Sequence, residues 1–257
     1  MPLKTKGSGE NVKRKVLLGA FAGALVVAAV AYADGAKFKD AKPGTYDPAK
    51  TFLVAAGWHN GIGCPTNAKI ATYPSTSPTG TYTDPACPTG DSGDKKNEGL
   101  ILAKTGPTSN NAESYVTLKD LKGVTPTELG YDIRKPGANI SDPRGSHCGA
   151  GSPMFQLEMK NGDVYYIGCS SPPPNVDQAG NGWQRLRWGG SAPLVGYLNG
   201  VTLQTVTGEI KNAYIVFQEG QDASGGPDQF GLAVLDNIDV NGMIVGDGHG
   251  GDHGDDD

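Results

Sequence analysis

The chain of 257 residues carries 22 basic and 27 acidic side chains, which gives a net charge of −5 at pH 7. A negative surface repels phosphate groups, so nucleic acids and anionic membranes are excluded as expected partners. The length is sufficient for one β-domain with a substantial core.

The N-terminus has the pattern of a secretory signal peptide. Basic residues at 13–15 precede an apolar run at 16–31, and the run ends in the small-residue motif A-Y-A at 31–33. An uncleaved anchor is the alternative, but the run is short for a membrane span and rich in alanine and glycine. Cleavage after residue 33 would remove five basic side chains and one acidic side chain, so the net charge would be −9. We expect a secreted protein, extracellular or periplasmic, with no membrane span after cleavage.

Four cysteines follow this segment, and an even number in an exported chain indicates two disulfides. We favour the pairs Cys64–Cys87 and Cys148–Cys169, because each closes a short loop rich in glycine, proline or serine, although three pairings are open. Each such loop would contribute about 3 kcal/mol in the chain-entropy model. The C-x2-C spacing typical of zinc sites is missing from the sequence.

Short segments of alternating apolar residues, separated by turn residues, recur beyond residue 98, and none of the chain after residue 33 keeps a helical apolar period for three turns. The predicted strands are 99–104, 114–121, 128–134, 154–160, 164–169, 183–188, 200–206, 213–219 and 230–240. They predict an all-β protein, an antiparallel jelly-roll sandwich of about 8–10 strands. The predicted parts are a signal peptide at 1–33, a disulfide-pinned, loop-rich N-terminal part of the sandwich at 34–94, the sandwich core at 95–246 and a disordered acidic tail at 247–257.

One hairpin can be given a register. Asn161-Gly162 lies between two apolar runs and is typical of a two-residue type I′ turn. Such a turn pairs Leu157 with Tyr166 on the core face. It places Tyr165, Gln156 and Glu158 on the opposite face.

The run W-Q-R-L-R-W at 183–188 predicts a binding patch. Alternation places Trp183, Arg185 and Arg187 on one side of a strand and Leu186 with Trp188 in the core. An aromatic plate beside two guanidinium groups suits stacking on a sugar ring and donation to its hydroxyl groups. Tyr165, Gln156 and Glu158 would extend this patch if the hairpin lies nearby. In the alternative interpretation, the arginines pair with surplus acids and Trp183 covers a sheet edge.

Asp236 interrupts the apolar alternation of F-G-L-A-V-L-D-N-I-D-V at 230–240. The favoured interpretation is structural: the carboxylate accepts hydrogen bonds from backbone N–H groups of an adjacent loop, or it holds a bulge. A structural calcium bound by Asp236 and loop carbonyls is the alternative, and we expect no other cofactor.

Other polar clusters give weaker signals. His59 and His147 each lie near a cysteine and would share a metal with Asp142 or Asp84 only if the disulfides were close. The tail, with His249 and His253 among aspartates, is interpreted as solubilising rather than as a metal site. Asn139 begins a glycosylation sequon, which matters only in a eukaryotic secretory pathway.

Motifs of common hydrolases, zinc proteases and nucleotide-binding loops are missing from the sequence. Glu158 is the one carboxylate that we name as a candidate for glycoside hydrolysis. An enzyme is therefore the less favoured interpretation.

The ending V-L-D-N-I-D-V-N-G at 234–242 resembles the last strand of jelly-roll sandwiches, including many carbohydrate-binding modules. The run at 148–188 is similar to exported bacterial β-sandwich proteins of mostly unassigned function. The resemblance covers roughly residues 95–245 and leaves out 34–94. It implies the fold, but jelly rolls serve lectins, enzymes and structural subunits alike.

These observations favour a non-catalytic protein that binds a glycan or cell-surface polymer through Trp183, Arg185, Arg187, Tyr165 and Gln156. This hypothesis requires Trp183 and Tyr165 to be exposed. A structural or surface protein with an unpaired apolar edge strand is the alternative, and a secreted hydrolase or lyase is a minor one.

Overall fold

Two antiparallel sheets packed face to face contain all the strands of the described residues. The structure, a computed structural model, describes residues 38–64, 96–105, 112–135, 148, 152–179, 183–218 and 231–246. All of them belong to one compact unit, Ala33–Asp257. The described residues form no helix that could span a lipid bilayer.

Sheet A has the strand order β1-β4-β12-β6-β7-β10-β11. Its strands are β1 (Ala41–Tyr46), β4 (Glu113–Leu118), β6 (Met154–Met159), β7 (Val164–Gly168), β10 (Val195–Leu198), β11 (Thr202–Thr205) and β12 (Ile210–Phe217).

Sheet B has the order β2-β3-β13-β5-β9-β8, and β14 pairs with β13. Its strands are β2 (Val54–His59), β3 (Gly99–Lys104), β5 (Glu128–Arg134), β8 (Asn175–Ala179), β9 (Gln184–Gly189), β13 (Gly231–Val240) and β14 (Met243–Val245).

The prediction of an antiparallel jelly-roll sandwich is confirmed, with fourteen strands in the described residues instead of eight to ten. The bounds of β3 and β5 agree with the predicted strands. The five unpredicted strands are β1, β2, β8, β10 and β14. Strand β1 contains Pro43 and Gly44, which are rare within strands but are tolerated here because β1 is an edge strand.

The inward faces of both sheets form one core, and its centre is aromatic. Tyr131 of sheet B lies 5.4 Å from both Phe155 of sheet A and Trp188 of sheet B, measured between ring centroids. The Tyr131 hydroxyl donates to the carbonyl of Pro153 and the Trp188 indole to that of Pro172, each at 2.9 Å. These buried rings hold the two sheets together, and their polar atoms lose no hydrogen bond on burial.

The predicted register of the β6–β7 hairpin is wrong by one residue. Leu157 pairs with Tyr165, not with Tyr166. The loop has three residues: Gly162 N–H donates to the carbonyl of Met159, and Gly162 has a φ of 95°. This is a type I turn followed by a glycine bulge, which adds one residue to the loop and reverses the faces of β7.

We expect Gly162→Ala to lower the free energy of unfolding by about 1–2 kcal/mol, because a side chain at positive φ strains the backbone. Gly162→Asn is the matched control and should cost less, since asparagine tolerates this conformation. Chemical denaturation of both variants measures the difference. Equal stability of wild type and Gly162→Ala would contradict the three-residue loop.

Candidate functional site

The structure does not bring the predicted patch together at the protein surface. Trp183 is only 2% exposed and packs with Cys64 and Val234 on the outer side of sheet B. Tyr165 is also 2% exposed, and it lies in the core between the sheets. The expectation that both rings are exposed is therefore wrong. Leu186 and Trp188 lie in the core, as predicted.

Trp183 is buried because the segment at 63–64, which follows β2, covers this part of sheet B. Asp236 anchors that segment: its Oδ2 accepts the Cys64 backbone N–H at 2.5 Å. Its Oδ1 accepts the N–H of Asn237 at 2.6 Å, and the pairing of β13 with β5 is irregular between Asp236 and Asp239. The structural interpretation of Asp236, a backbone acceptor beside a bulge, is confirmed.

Acidic side chains bind the two arginines of the predicted patch. Arg185 is 2% exposed and lies 3.6 Å from the Asp132 carboxylate. Arg187 forms ion pairs with Glu128 and, at 3.1 Å, with Asp239. Burial raises the pKa of Asp239, and the positive charge of Arg187 opposes that rise. The arginines thus connect strands within sheet B, as the alternative interpretation expected.

One predicted disulfide is confirmed. Cys148 and Cys169 are bonded, with their Cα atoms 5.5 Å apart. Cys64 is also disulfide-bonded, but Cys87, its predicted partner, lies outside the described residues.

Calcium binding by Asp236 stays a prediction. No group of three or more histidine, cysteine, aspartate or glutamate residues in the described ranges could hold a metal ion. His59 is exposed on β2. The other residues of the weaker clusters (His147, Asp142, Asp84, Asn139, His249 and His253) lie outside the described residues.

The outer side of sheet A carries a group of tyrosines that the sequence analysis did not identify. We call this surface the tyrosine face; its tyrosines are Tyr46, Tyr115, Tyr214, Tyr166 and Tyr197. Tyr46 is 51% exposed, and the other four are half-buried. The other two tyrosines of the described residues, Tyr131 and Tyr165, are in the core. Aromatic side chains are therefore concentrated on one outer surface.

Cross-strand pairing aligns the centre of the tyrosine face in a row. Tyr214 of β12 pairs with Gln156 of β6, Gln156 with Tyr166 of β7, and Tyr166 with Tyr197 of β10. Neighbouring strands are about 4.8 Å apart, so the row extends roughly 14 Å across the sheet. Gln156 is the one residue of the predicted patch that lies in this row.

A glycine on the edge strand makes room for the next tyrosine. Tyr115 of β4 pairs with Gly44 of β1. A Cβ atom at Gly44 would lie 2.7 Å from the Tyr115 ring, so the ring lies against the backbone of β1. Tyr46 is two residues further along β1, on the same side. The tyrosine face thus continues to the edge of the sheet.

Polar groups beside the row can exchange hydrogen bonds with a ligand. Glu158 accepts a hydrogen bond from the Asn212 amide at 2.7 Å, and the Tyr197 hydroxyl lies 2.9 Å from Ser171 Oγ. Burial raises the pKa of Tyr214, and the negative charge of Glu158 adds to the rise. Tyr214 therefore keeps its hydroxyl proton to a higher pH than an ordinary tyrosine. The row thus lies beside hydrogen-bond donors and the Glu158 carboxylate.

Two of these tyrosines had a signal in the sequence. Tyr115 and Tyr214 lie on predicted strands, and each alternates with buried residues such as Val116 and Ile215. Tyr166 was assigned to the core by the wrong hairpin register. Tyr197 and Tyr46 lie on strands that were not predicted.

Comparison with known proteins gives two distant structural neighbours. No protein-family model matches the chain, and the search of curated proteins found no match. One neighbour is the family 11 carbohydrate-binding module of the cellulosomal cellulase Lic26A-Cel5E of Clostridium thermocellum. Identity is 13%, the match covers 80% of this chain and 89% of that one, and the TM-score is 0.35.

The other is a β-1,2-glucanase from Parabacteroides distasonis, with 12% identity, 79% of this chain and 24% of that chain covered, and a TM-score of 0.32. These scores are too low for either neighbour to carry a functional argument.

We expect Asp236→Ala to lower the free energy of unfolding by about 2–4 kcal/mol, because two buried N–H groups lose a charged acceptor. Asp236→Asn should cost less, since its amide oxygen can accept one of the two bonds. Urea denaturation measures both values. A variant Asp236→Ala as stable as wild type would show that the carboxylate does not anchor the Cys64 segment.

Proposed function

We propose that this protein is a non-catalytic binding protein that holds a polysaccharide chain against the tyrosine face. The observation that carries the proposal is the row of Tyr214, Gln156, Tyr166 and Tyr197 across four adjacent strands. Aromatic rings offer flat apolar surface with a polar end, and sugar rings have apolar C–H faces bordered by hydroxyl groups. Gln156 adds an amide that can both donate and accept.

The dimensions of the row support a chain rather than a single sugar. Its three strand intervals extend roughly 14 Å, and Tyr115 and Tyr46 continue the aromatic surface toward β1. The side chains stand on paired strands rather than on loops, so little conformational entropy is lost on binding. A polymer lying across the strands would contact several rings at once.

The charges along the row favour a neutral polysaccharide. Among the described residues, the paired outward positions of β12, β6 and β7 hold one carboxylate, Glu158, and no lysine or arginine, whereas Lys42 and Glu113 lie on the β1–β4 side of the face. Uronic acid or sulfate groups are recognised mainly by such cations. Arg185 and Arg187, which the sequence analysis assigned to the ligand, bind acids on sheet B instead.

A structural or cell-surface role is the second candidate, and edge strand β11 favours it. All four β11 residues are exposed, including Leu203 at 49%, and the neighbouring Val201 is 80% exposed. An exposed edge strand with apolar side chains can pair with another chain. Export of the protein, predicted from its N-terminus, fits both candidates.

We expect Tyr166→Ala and Tyr214→Ala each to weaken binding of a neutral polysaccharide by about tenfold, because each removes one ring from the row. Affinity electrophoresis in gels containing soluble β-glucan, xyloglucan or galactomannan measures the change. Val176→Ala, on an edge strand of sheet B, is the control and should bind like wild type. Unchanged binding by both tyrosine variants would contradict the proposal and favour the structural role.

We expect polygalacturonate and alginate to bind about tenfold more weakly than the best neutral polymer, because Glu158 repels their carboxylates. Glu158→Lys should reduce this preference, and added salt should also reduce it by screening. Calorimetry at low and high salt measures both effects. Tighter binding of the acidic polymers by wild type would refute the neutral class while leaving a glycan site in place.

A further inference from the structure

Phe52 is displayed in the loop between β1 and β2. Its side chain is 86% exposed, the highest value among the exposed large apolar residues of the described chain. Its backbone has a φ of 56°, and Lys50 in the same loop has a φ of 53°. Bulky residues rarely adopt this left-handed conformation. An exposed ring held in a disfavoured backbone conformation calls for a physical cause.

Asp47 supplies that cause by closing the loop around its carboxylate. Its Oδ2 accepts the Phe52 N–H at 2.7 Å and its Oδ1 accepts the Thr51 hydroxyl at 3.0 Å. Its own carbonyl accepts the Lys50 N–H at 3.0 Å. Hydrogen bonds, first from the Thr51 backbone, lower the pKa of Asp47 and keep it ionised. The loop is thus fixed before any ligand binds.

The loop starts at the edge of the tyrosine face. Tyr46, the last residue of β1 and 51% exposed, directly precedes Asp47. Two exposed aromatic residues, Tyr46 and Phe52, therefore flank the same carboxylate. Among the described residues, Phe52 belongs to neither core cluster, and it lies six residues after Tyr46 in the loop that Asp47 closes.

We propose that Phe52 is a further binding residue, which contacts the polysaccharide where the chain passes beyond β1. This inference rests on the proposed function and adds that the site takes a long chain. From β10 to β1 there are five strand intervals, roughly 24 Å, so a short oligosaccharide on Tyr166 and Tyr197 does not reach Phe52. A polymer contacts both ends. The fixed loop lowers the entropy cost of this extra contact.

The test compares the intact neutral polymer that binds most tightly among β-glucan, xyloglucan and galactomannan with a trisaccharide prepared from it. We expect Phe52→Ala in the full chain to weaken binding of the polymer about three- to tenfold and to leave that of the trisaccharide unchanged. Tyr166→Ala should weaken both. Val176→Ala should change neither. Calorimetry gives the affinities, and thermal unfolding checks that each variant folds.

The variant Asp47→Ala distinguishes the contribution of the Phe52 ring from the contribution of the loop conformation that positions it. It keeps the phenyl group but frees the loop, so it should weaken polymer binding without affecting the trisaccharide. Wild-type polymer affinity in both Phe52→Ala and Asp47→Ala, with Tyr166→Ala still impaired, would overturn this inference and leave the proposed function standing. Wild-type affinity in Tyr166→Ala and Tyr214→Ala would remove the proposed function and this inference with it.

Discussion

The register of the β6–β7 hairpin determines which side chains sheet A presents to solvent. Because side chains alternate along a strand, a shift of one residue exchanges Tyr165 and Tyr166 between the core and the surface. The three-residue loop at Gly162 fixes Tyr165 in the core opposite Leu157. Tyr166 then pairs with Gln156 on one side and Tyr197 on the other. The continuous row of the tyrosine face depends on this register.

The two sheets use their outer sides differently. On sheet B, Asp236 binds the Cys64 backbone, Trp183 packs under that segment, and Arg185 and Arg187 pair with acids. Buried charges of this kind stabilise a sheet only if each has a partner of opposite charge. Because these partners occupy the outer side of sheet B, little of that surface is left for a ligand. On sheet A, the outward residues of the row are half-buried rings and one amide. The outer side of sheet B thus serves the structure, and the outer side of sheet A is the one for which we propose binding.

Local sequence pattern was enough to predict the class of fold. The sequence pattern at 99–104 and 128–134 predicted both the presence and the bounds of β3 and β5, because the residues of these strands pack on one continuous core. Asp236 was interpreted correctly since a buried carboxylate on a strand needs backbone donors. Strands such as β1 were missed because proline and glycine obscure the pattern at an edge, where neighbours rather than propensity form the strand.

The site was harder to predict because it depends on long-range contacts. Alternation correctly separated Trp183 from Leu186 and Trp188, but it cannot reveal that a segment 120 residues earlier in the chain, at 63–64, covers Trp183. The tyrosine row joins four strands whose order is set by the whole topology. Gln156 belongs to both the predicted patch and the observed row, because alternation along β6 alone determines the side on which it lies.

An NMR titration of the isotope-labelled protein with oligosaccharides prepared from β-glucan, xyloglucan and galactomannan tests most directly whether sheet A carries a binding site. Shift changes should centre on Gln156, Tyr166, Tyr197 and Tyr214, and cross-strand contacts between Leu157 and Tyr165 should report the register that places them there. Shift changes confined to sheet B around Trp183 and Arg187, or a Leu157–Tyr166 pairing, would contradict a binding surface on the tyrosine face.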